Sequence, residues 1–381
     1  MTQTALPDQI LLVAFELSNQ KWGLTFGVDV KTRRQVEVEA GDFKALWKQI
    51  AYTKQKLKLP ERTRVVSCYE AGRDGFWIHR KLLSLGIENN VVDSASIEVP
   101  QRRLRAKSDR LDGAALLRLL ARYRAGEADV WQVVRVPSPE AEEARREGRE
   151  LGRLKAERTG HICRLKSLLV QHGIKLSGLR GLKARLDDLR EWNGHPLGED
   201  ARGELKRECE RLELVEAQIR EMEGRRKVKV KAAREAPPQT PAPGPLRKVV
   251  ALKQLRGIDE GAWTLVQEFF GWRVFQNGKQ VGGLAGLTGT PHGSGGTMRD
   301  QGISKAGNWR VRAVMVELAW SWLRYQPHSR LSRWYEERYG PGGKRNRRVG
   351  IVALARKLLV ALWKYVERGE LPEGAVLKAS A

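Results

Sequence analysis

Ile10-Leu11-Leu12-Val13-Ala14-Phe15-Glu16 is a short apolar run that ends in an acid. Its length and its bounding by polar residues read as a buried strand. Outward from it, Trp22–Val30 and Arg34–Val38 read as two further strands separated by polar turns. Asp42–Leu57 has helical spacing, and Arg64–Tyr69 is a strand that closes on Glu70. Gly72 and Gly75 follow, then a helix through Leu85 and a short strand at Val91–Val92. Three antiparallel strands followed by alternating helices and strands predict an α/β sheet of about 130 residues. Glu16 and Glu70 both fall at the carboxyl ends of strands, where open α/β sheets place their sites.

After the last strand comes Lys107-Ser108-Asp109-Arg110-Leu111-Asp112-Gly113. A serine at the N-cap and the apolar residues beyond it predict a helix from Ser108 onward. Asp109 and Asp112, three residues apart, then share one helical face. An acidic first turn that complements the helix dipole accounts for such a pair in most proteins. Here the setting is unusual, because the chain carries 70 Lys+Arg against 45 Asp+Glu, a net charge of +25. That balance predicts a nucleic-acid partner, and bare carboxylates repel phosphate unless a divalent cation lies between them.

At 381 residues the chain predicts two or three folded units. Cys68, Cys163 and Cys209 are scattered, and the six histidines are dispersed. This pattern suits a reducing cytoplasm and argues against a disulfide framework or a zinc ribbon. With no long apolar run and no N-terminal signal pattern, neither a membrane nor secretion is expected.

Beyond residue 138 the pattern changes. Glu140–Ala232 reads as long charged helices, with Leu154, Leu165, Leu168, Leu169, Leu205, Leu212, Leu214 and Met222 forming apolar stripes. Gly173–Gly178 and Trp192–Gly198 supply turns, so a helical hairpin or coiled-coil arm is expected. Ala236–Pro245 is proline-rich and reads as a semi-rigid linker. The expected division is therefore 1–138, 139–233, 234–246 and 247–381. In the last region, Leu252–Ala262 with a second helix through Phe270 has the form of a helix-hairpin-helix that presents backbone N–H groups to phosphate. A plain turn between two helices fits the same residues.

Ten glycines fall between Gly278 and Gly307, centred on Pro291-His292-Gly293-Ser294-Gly295-Gly296. Flanking glycines can hold Ser294 in an exposed geometry, although a flexible loop with an incidental serine fits as well. His292 could orient or deprotonate the serine, and Arg299, Lys305 and Arg312 could hold a phosphodiester. Trp309, Trp320, Trp322, Trp334 and Trp363 are expected in the core. The run Lys344–Arg348 suits phosphate contact or a solvated loop equally.

Together these motifs resemble the DEDD-type transposases of the insertion-sequence family numbered one-ten, the bridge-RNA-guided DNA recombinases. The likeness covers almost the whole chain. Phe15-Glu16-Leu17-Ser18, Tyr69-Glu70-Ala71-Gly72 and Lys107–Gly113 match the family's four acids, and Arg256–Gly261 matches its Gly-Ile-Gly segment. Gly286-Leu287, Ser294-Gly295-Gly296, Gly302–Lys305, Gly307-Asn308 and Arg312 match its serine block. The resemblance implies a RuvC-like (RNase H-like) α/β N-terminal domain, a coiled-coil arm and a mainly helical C-terminal domain with the serine loop. It implies that Glu16, Glu70, Asp109 and Asp112 bind Mg2+ (or Mn2+), and that Ser294 attacks the scissile phosphate to form a phosphoserine link. Lys107, Arg299, Lys305, Asn308 and Arg312 would contact nucleic acid. The implied partners are donor and target DNA, a structured guide RNA, and further copies of the chain in a dimer to tetramer. One departure stands out: the family's first acid is Asp, whereas here it is Glu16, one methylene longer. Asp29 is a fallback. Two other readings fit the acids: a RuvC-like junction nuclease that uses water, and a catalytically weak DNA- or RNA-binding protein.

Overall fold

A computed structural model of the chain describes residues 9–31, 33–97, 109–236, 244–294 and 297–379; the side chains of 109–112, 128 and 291–301 lie outside that description. The chain divides into two compact units, Met1–Val136 and Pro137–Ala381.

In the first unit, β1 (Leu11–Leu17), β2 (Lys21–Gly27) and β3 (Arg34–Glu39) form an antiparallel meander. Then follow α1 (Phe43–Lys56), β4 (Val65–Glu70), α2 (Trp77–Ser84), β5 (Glu88–Val92) and α3 (Asp109–Arg124). The sheet order is β3-β2-β1-β4-β5, with β1, β4 and β5 parallel. β1 is apolar without alternation because both faces of the sheet are covered. On one face Val13, Phe15, Trp22 and Phe26 pack with Ile50 of α1 and Ile78 of α2. On the other, Leu12, Ala14, Val66 and Cys68 pack with Leu116, Leu117 and Leu120 of α3. β2 stops earlier than the expected Trp22–Val30. The Asp29 carboxylate accepts from the Lys31 backbone N–H at 2.7 Å and from Arg33 at 2.8 Å, which turns the chain and leaves Val30 exposed.

The second unit opens with two long antiparallel helices, α4 (Pro139–Gln171) and α5 (Glu199–Glu235). Their 33 and 37 residues span about 50 and 55 Å at 1.5 Å per residue. Ser138 caps α4 by accepting from the Ala141 N–H. Leu151 and Leu154 meet Val215, Ile219 and Met222 along the pair. At the far end the connection is more than a turn: Ile174, Leu182, Leu186 and Leu197 fold onto Leu165, Leu169, Leu205 and Cys209. Leu214 leaves the expected stripe and is exposed.

The remaining elements are α6 (Gly244–Gln254), α7 (Gly261–Leu265) running into a π-helical turn at Val266–Phe270, α8 (Gly278–Leu284), β6 (Gly289–Ser294), β7 (Thr297–Ile303), α9 (Trp309–Tyr325), α10 (Arg330–Tyr339) and α11 (Lys344–Arg368). Leu252, Phe269, Phe270, Met315, Trp322, Leu358 and Leu362 form their core, and Val230 of α5 joins it. The root of the arm is thus built into the same core. Trp322 and Trp363 are buried as expected, but Trp309 and Trp320 are 58% and 48% exposed. They fall on the outer side of the stripe of α9 that buries Val311, Met315, Leu318 and Trp322. The helix–turn–helix at α6 and α7 exists, but its glycines face inward. Gly257, at φ +83°, donates no open face to solvent: a Cβ there would meet Tyr325 and Ser321, and one at Gly261 would meet Leu318 and Val314. The Gly257 carbonyl accepts from the Ser321 hydroxyl at 2.7 Å. This is a packing turn against α9.

Candidate active site

Register decides where the two glutamates stand. β1 and β4 are parallel with Phe15 beside Tyr69, so the next residues, Glu16 one short of the end of β1 and Glu70 at the end of β4, stand side by side. The two-residue period puts both on the α3 face, the face of Ala14 and Cys68. Burial raises the Cys68 thiol pKa, and the charge of Glu70 raises it further, as expected for groups on one face.

α3 is drawn close to this face by small residues. A Cβ at Gly113 would lie 2.5 Å from the Thr25 hydroxyl and 3.8 Å from Oε2 of Glu16. A Cβ at Gly27 would lie 2.8 Å from Leu117. Gly113 therefore sits over the Glu16 end of the sheet, and Leu117, one turn on, sits toward the Gly27 end. α3 runs antiparallel to β1, and its first turn overlies the carboxyl ends of β1 and β4. Positions 109 and 112 continue the stripe of Leu116, Leu117 and Leu120 by helical period. The backbone thus brings the start of α3 to the two glutamates; the Asp109 and Asp112 side chains lie outside the described residues. Adjacent carboxylates repel, and oxygen donors alone suit a hard divalent cation such as Mg2+. Among the described residues no three acidic, His or Cys groups form a metal cluster. Asp29 is held elsewhere, tied to Lys31 and Arg33, which keeps its carboxyl below the usual range.

Ser294 belongs to the second unit. The glycine-rich stretch is a hairpin rather than a loop: β6 pairs antiparallel with β7, and Ser294, opposite Thr297, is the last residue of β6. His292 pairs with Arg299 one step back; the side chains of Ser294, His292 and Arg299 lie outside the described residues, as does all of Lys107.

The foot of this hairpin is a close joint between two backbone segments. Gly286 (φ +67°) and Gly307 (φ +91°) let two backbones touch: a Cβ would strike the Ala306 carbonyl at the first and the Leu284 carbonyl at the second. The N–H groups of Ser304, Lys305 and Asn308 donate to the carbonyls of Thr288, Gly286 and Leu284 at 2.8, 3.2 and 2.8 Å. Arg312 donates across the joint to Ala285 and Lys305 carbonyls. Lys305 is exposed with φ +55°. Asn308 caps α9 by accepting from the N–H groups of Arg310 and Val311. Two residues expected at nucleic acid thus also hold the hairpin foot, Asn308 through its side-chain amide and Arg312 through Nη1.

Sequence reasoning missed Glu268. It is almost fully buried, receives two hydrogen bonds from Arg149 of α4 at 2.8 and 3.0 Å, and accepts from Asn308 at 3.2 Å. Burial pushes its carboxyl up, but the Arg149 hydrogen bonds and charge outweigh this and hold it below the usual range. The chain Arg149–Glu268–Asn308 ties the arm root to the hairpin foot. A single glutamate between Gln267 and Phe269 carries no sequence signal of that role.

A model of the transposase family described as IS116/IS110/IS902 matches residues 250–333, the stretch from α6 into α10. The chain is 42% identical over 386 residues to a Sinorhizobium fredii protein designated a transposase, y4rJ, across 97% of this chain and 94% of that protein. A second Sinorhizobium fredii protein so designated, y4qE, is 32% identical over 268 residues, 69% of this chain and 60% of that protein.

Proposed function

We propose, from the premise that this chain belongs to the IS116/IS110/IS902 transposase family, that it recombines DNA through a serine nucleophile and a metal-binding set of four acids. The observation that carries the metal half is the pair Glu16 and Glu70, side by side under the first turn of the helix that bears Asp109 and Asp112. The sheet order, with an antiparallel meander joined to parallel strands and α3 on one face, fits a RuvC-like domain. The serine half rests on the hairpin that puts Ser294 at its tip.

In this reading the Ser294 oxygen forms a bond to phosphorus while one P–O bond of the strand breaks. The hydroxyl proton leaves the serine, and the departing strand oxygen ends as a hydroxyl. Rejoining is the reverse step with a hydroxyl from another strand, so the phosphodiester is conserved without ATP. A serine hydroxyl is a weak nucleophile, and Mg2+ held by Glu16, Glu70, Asp109 and Asp112 would supply charge neutralisation at the phosphate. Glu16 and Glu70 hold their places because their strands are core; the hairpin foot presents Ser294. The two halves would combine in a homo-oligomer, up to a tetramer. The excess of 25 positive charges suits two polyanions, DNA and a structured guide RNA, and base pairing by the RNA would choose the sites.

The test is to combine protein, flanking element RNA, donor and target DNA and Mg2+, then resolve products on a denaturing gel. Protein–DNA adducts and recombinants are expected from the wild type, and neither from Ser294→Ala. Full recombination by Ser294→Ala would sink the reading. Cleavage without an adduct would favour a water-using nuclease.

A further inference from the structure

The run Lys344–Arg348 is not a loop; it is the first turn of α11. It opens onto a groove of about 1380 Å³ bounded by α8, the hairpin foot at Gly289 and Gly302, α10 and α11. Of the eight cations that line it, six are Lys279, Lys305, Arg345, Arg348, Arg356 and Lys357; the other two are Arg330 and Lys364. Its two acids, Glu370 and Glu373, are taken by Lys364 and Arg368 and by Arg330. Among the described residues no ion pair is made by the six. Arg345, Arg348, Val352 and Arg356 recur at three and four residues, so they share one face of α11. From Arg345 to Arg356 that face runs about 16 Å, the axial length of about five nucleotides of a DNA strand. The floor between the cations is apolar, from Val349, Val352 and Ala353. A cavity this large and this basic exceeds the roughly 300–1,000 Å³ of small-molecule sites. Trp334 and Tyr339, at its edge, are already engaged, by Lys357 over the Trp334 ring and by ring contact with each other. Phosphate contact therefore dominates over base stacking.

We propose that this groove seats the sugar–phosphate backbone of the DNA strand that leads to Ser294. The inference rests on the reading of Ser294 as nucleophile for its direction, since the groove ends at the foot of that hairpin, but not for its existence. Arg345 and Arg348 hold phosphates on one wall and Lys279 and Lys305 on the other. These contacts set affinity and strand register and carry no sequence information.

The experiment measures binding of a fluorescent DNA duplex and of a structured RNA transcript to the full chain in EDTA, across a salt series. Arg345→Gln/Arg348→Gln is one variant; Lys279→Gln/Lys305→Gln, on the other wall, guards against damage to α11. Each pair should lower the slope of log Kd against log salt by about 1.8 and weaken DNA binding about tenfold or more at 0.1 M salt, because each phosphate contact contributes about 0.9 to the slope. RNA binding should keep its slope. An unchanged DNA slope in both variants would overturn the proposal, and so would a loss confined to RNA. Adduct formation with Mg2+ separates the two readings. Wild-type adducts at Ser294 with an unmoved slope remove the groove alone; a moved slope with no adduct removes the nucleophile alone.

Discussion

Glu16 and Glu70 stand at the carboxyl ends of two strands that are buried on both faces, whereas Ser294 ends a two-stranded hairpin that stands on a stapled foot. The acids are placed by the sheet core itself. The serine is placed from a distance, by Gly286, Gly307, Arg312 and Asn308, and behind them by Glu268 and Arg149 of the arm. The comparison teaches that the acids and the serine, the two halves of the proposed site, can fail in different ways. Loss of one of the acids themselves should remove chemistry and leave stability intact. Damage behind the serine half should cost stability and chemistry together.

The largest effect is expected at the acids. Glu70 is exposed at its strand end, so Glu70→Gln should leave the melting curve in place. Strand transfer should fall about 10²–10³-fold, the equivalent of several kcal/mol of lost metal-assisted stabilisation. A quantitative recombination assay beside thermal melting checks the split. Unchanged activity would remove Glu70 from the site.

Behind the serine, Glu268→Gln should cost about 3 kcal/mol in chemical denaturation, because it breaks a buried, hydrogen-bonded pair. Its pH dependence has a definite sign. The folded carboxyl lies below the ordinary value of about 4.3 because Arg149 overcomes the burial that pushes it up. The unfolded chain then binds the proton more readily, so this contribution is full above about pH 4.3 and is lost as pH falls through the lower folded value. Glu268→Gln should flatten that acid limb of stability against pH. The same limb in variant and wild type would contradict the role given to Glu268.

Next in size is Gly113→Ala in the acid half. Its methyl would meet the Thr25 hydroxyl at 2.5 Å, and overpacking of this kind costs about 1–3 kcal/mol. Thr25→Ala should recover much of that loss in the double variant, and the cycle is read by denaturant melts. No recovery would mean that α3 is not held against β2 as described. The smallest effect is expected on the exposed surface of α5: Arg220→Ala removes a pair with Glu216 at 3.8 Å and should change stability by about 0.5 kcal/mol or less.

The strands and helix that carry the four acids were largely legible in the sequence. Apolar runs that close on Glu16 and Glu70, and a helix carrying Asp109 and Asp112, announce strands and a helix whose pairing the sheet then supplies. The serine half was legible as a motif and not as a shape. Ten glycines between Gly278 and Gly307 hide the two-residue alternation that marks a hairpin, because glycine contributes no side chain to either face. Asn308 and Arg312 read as phosphate contacts since their types suit phosphate; that they also hold backbone at the foot carries no sequence signal. Trp309 and Trp320 were misplaced because an aromatic residue in an apolar helix gives no sign of which face it takes. The arm tip was missed because Gly173–Gly178 and Trp192–Gly198 read as turns, while Leu182, Leu186 and Leu197, between and within them, fold onto the helix ends.

The most direct test of the central claim is to map the covalent link. DNA with an isotopically labelled scissile phosphate is incubated with protein, RNA and Mg2+, the adduct is trapped by denaturation, and its peptides are sequenced by mass spectrometry. The nucleotide should be found on Ser294, on the peptide that spans the tip of the β6–β7 hairpin. A link at any other residue, or strand exchange with no link at all, would contradict it.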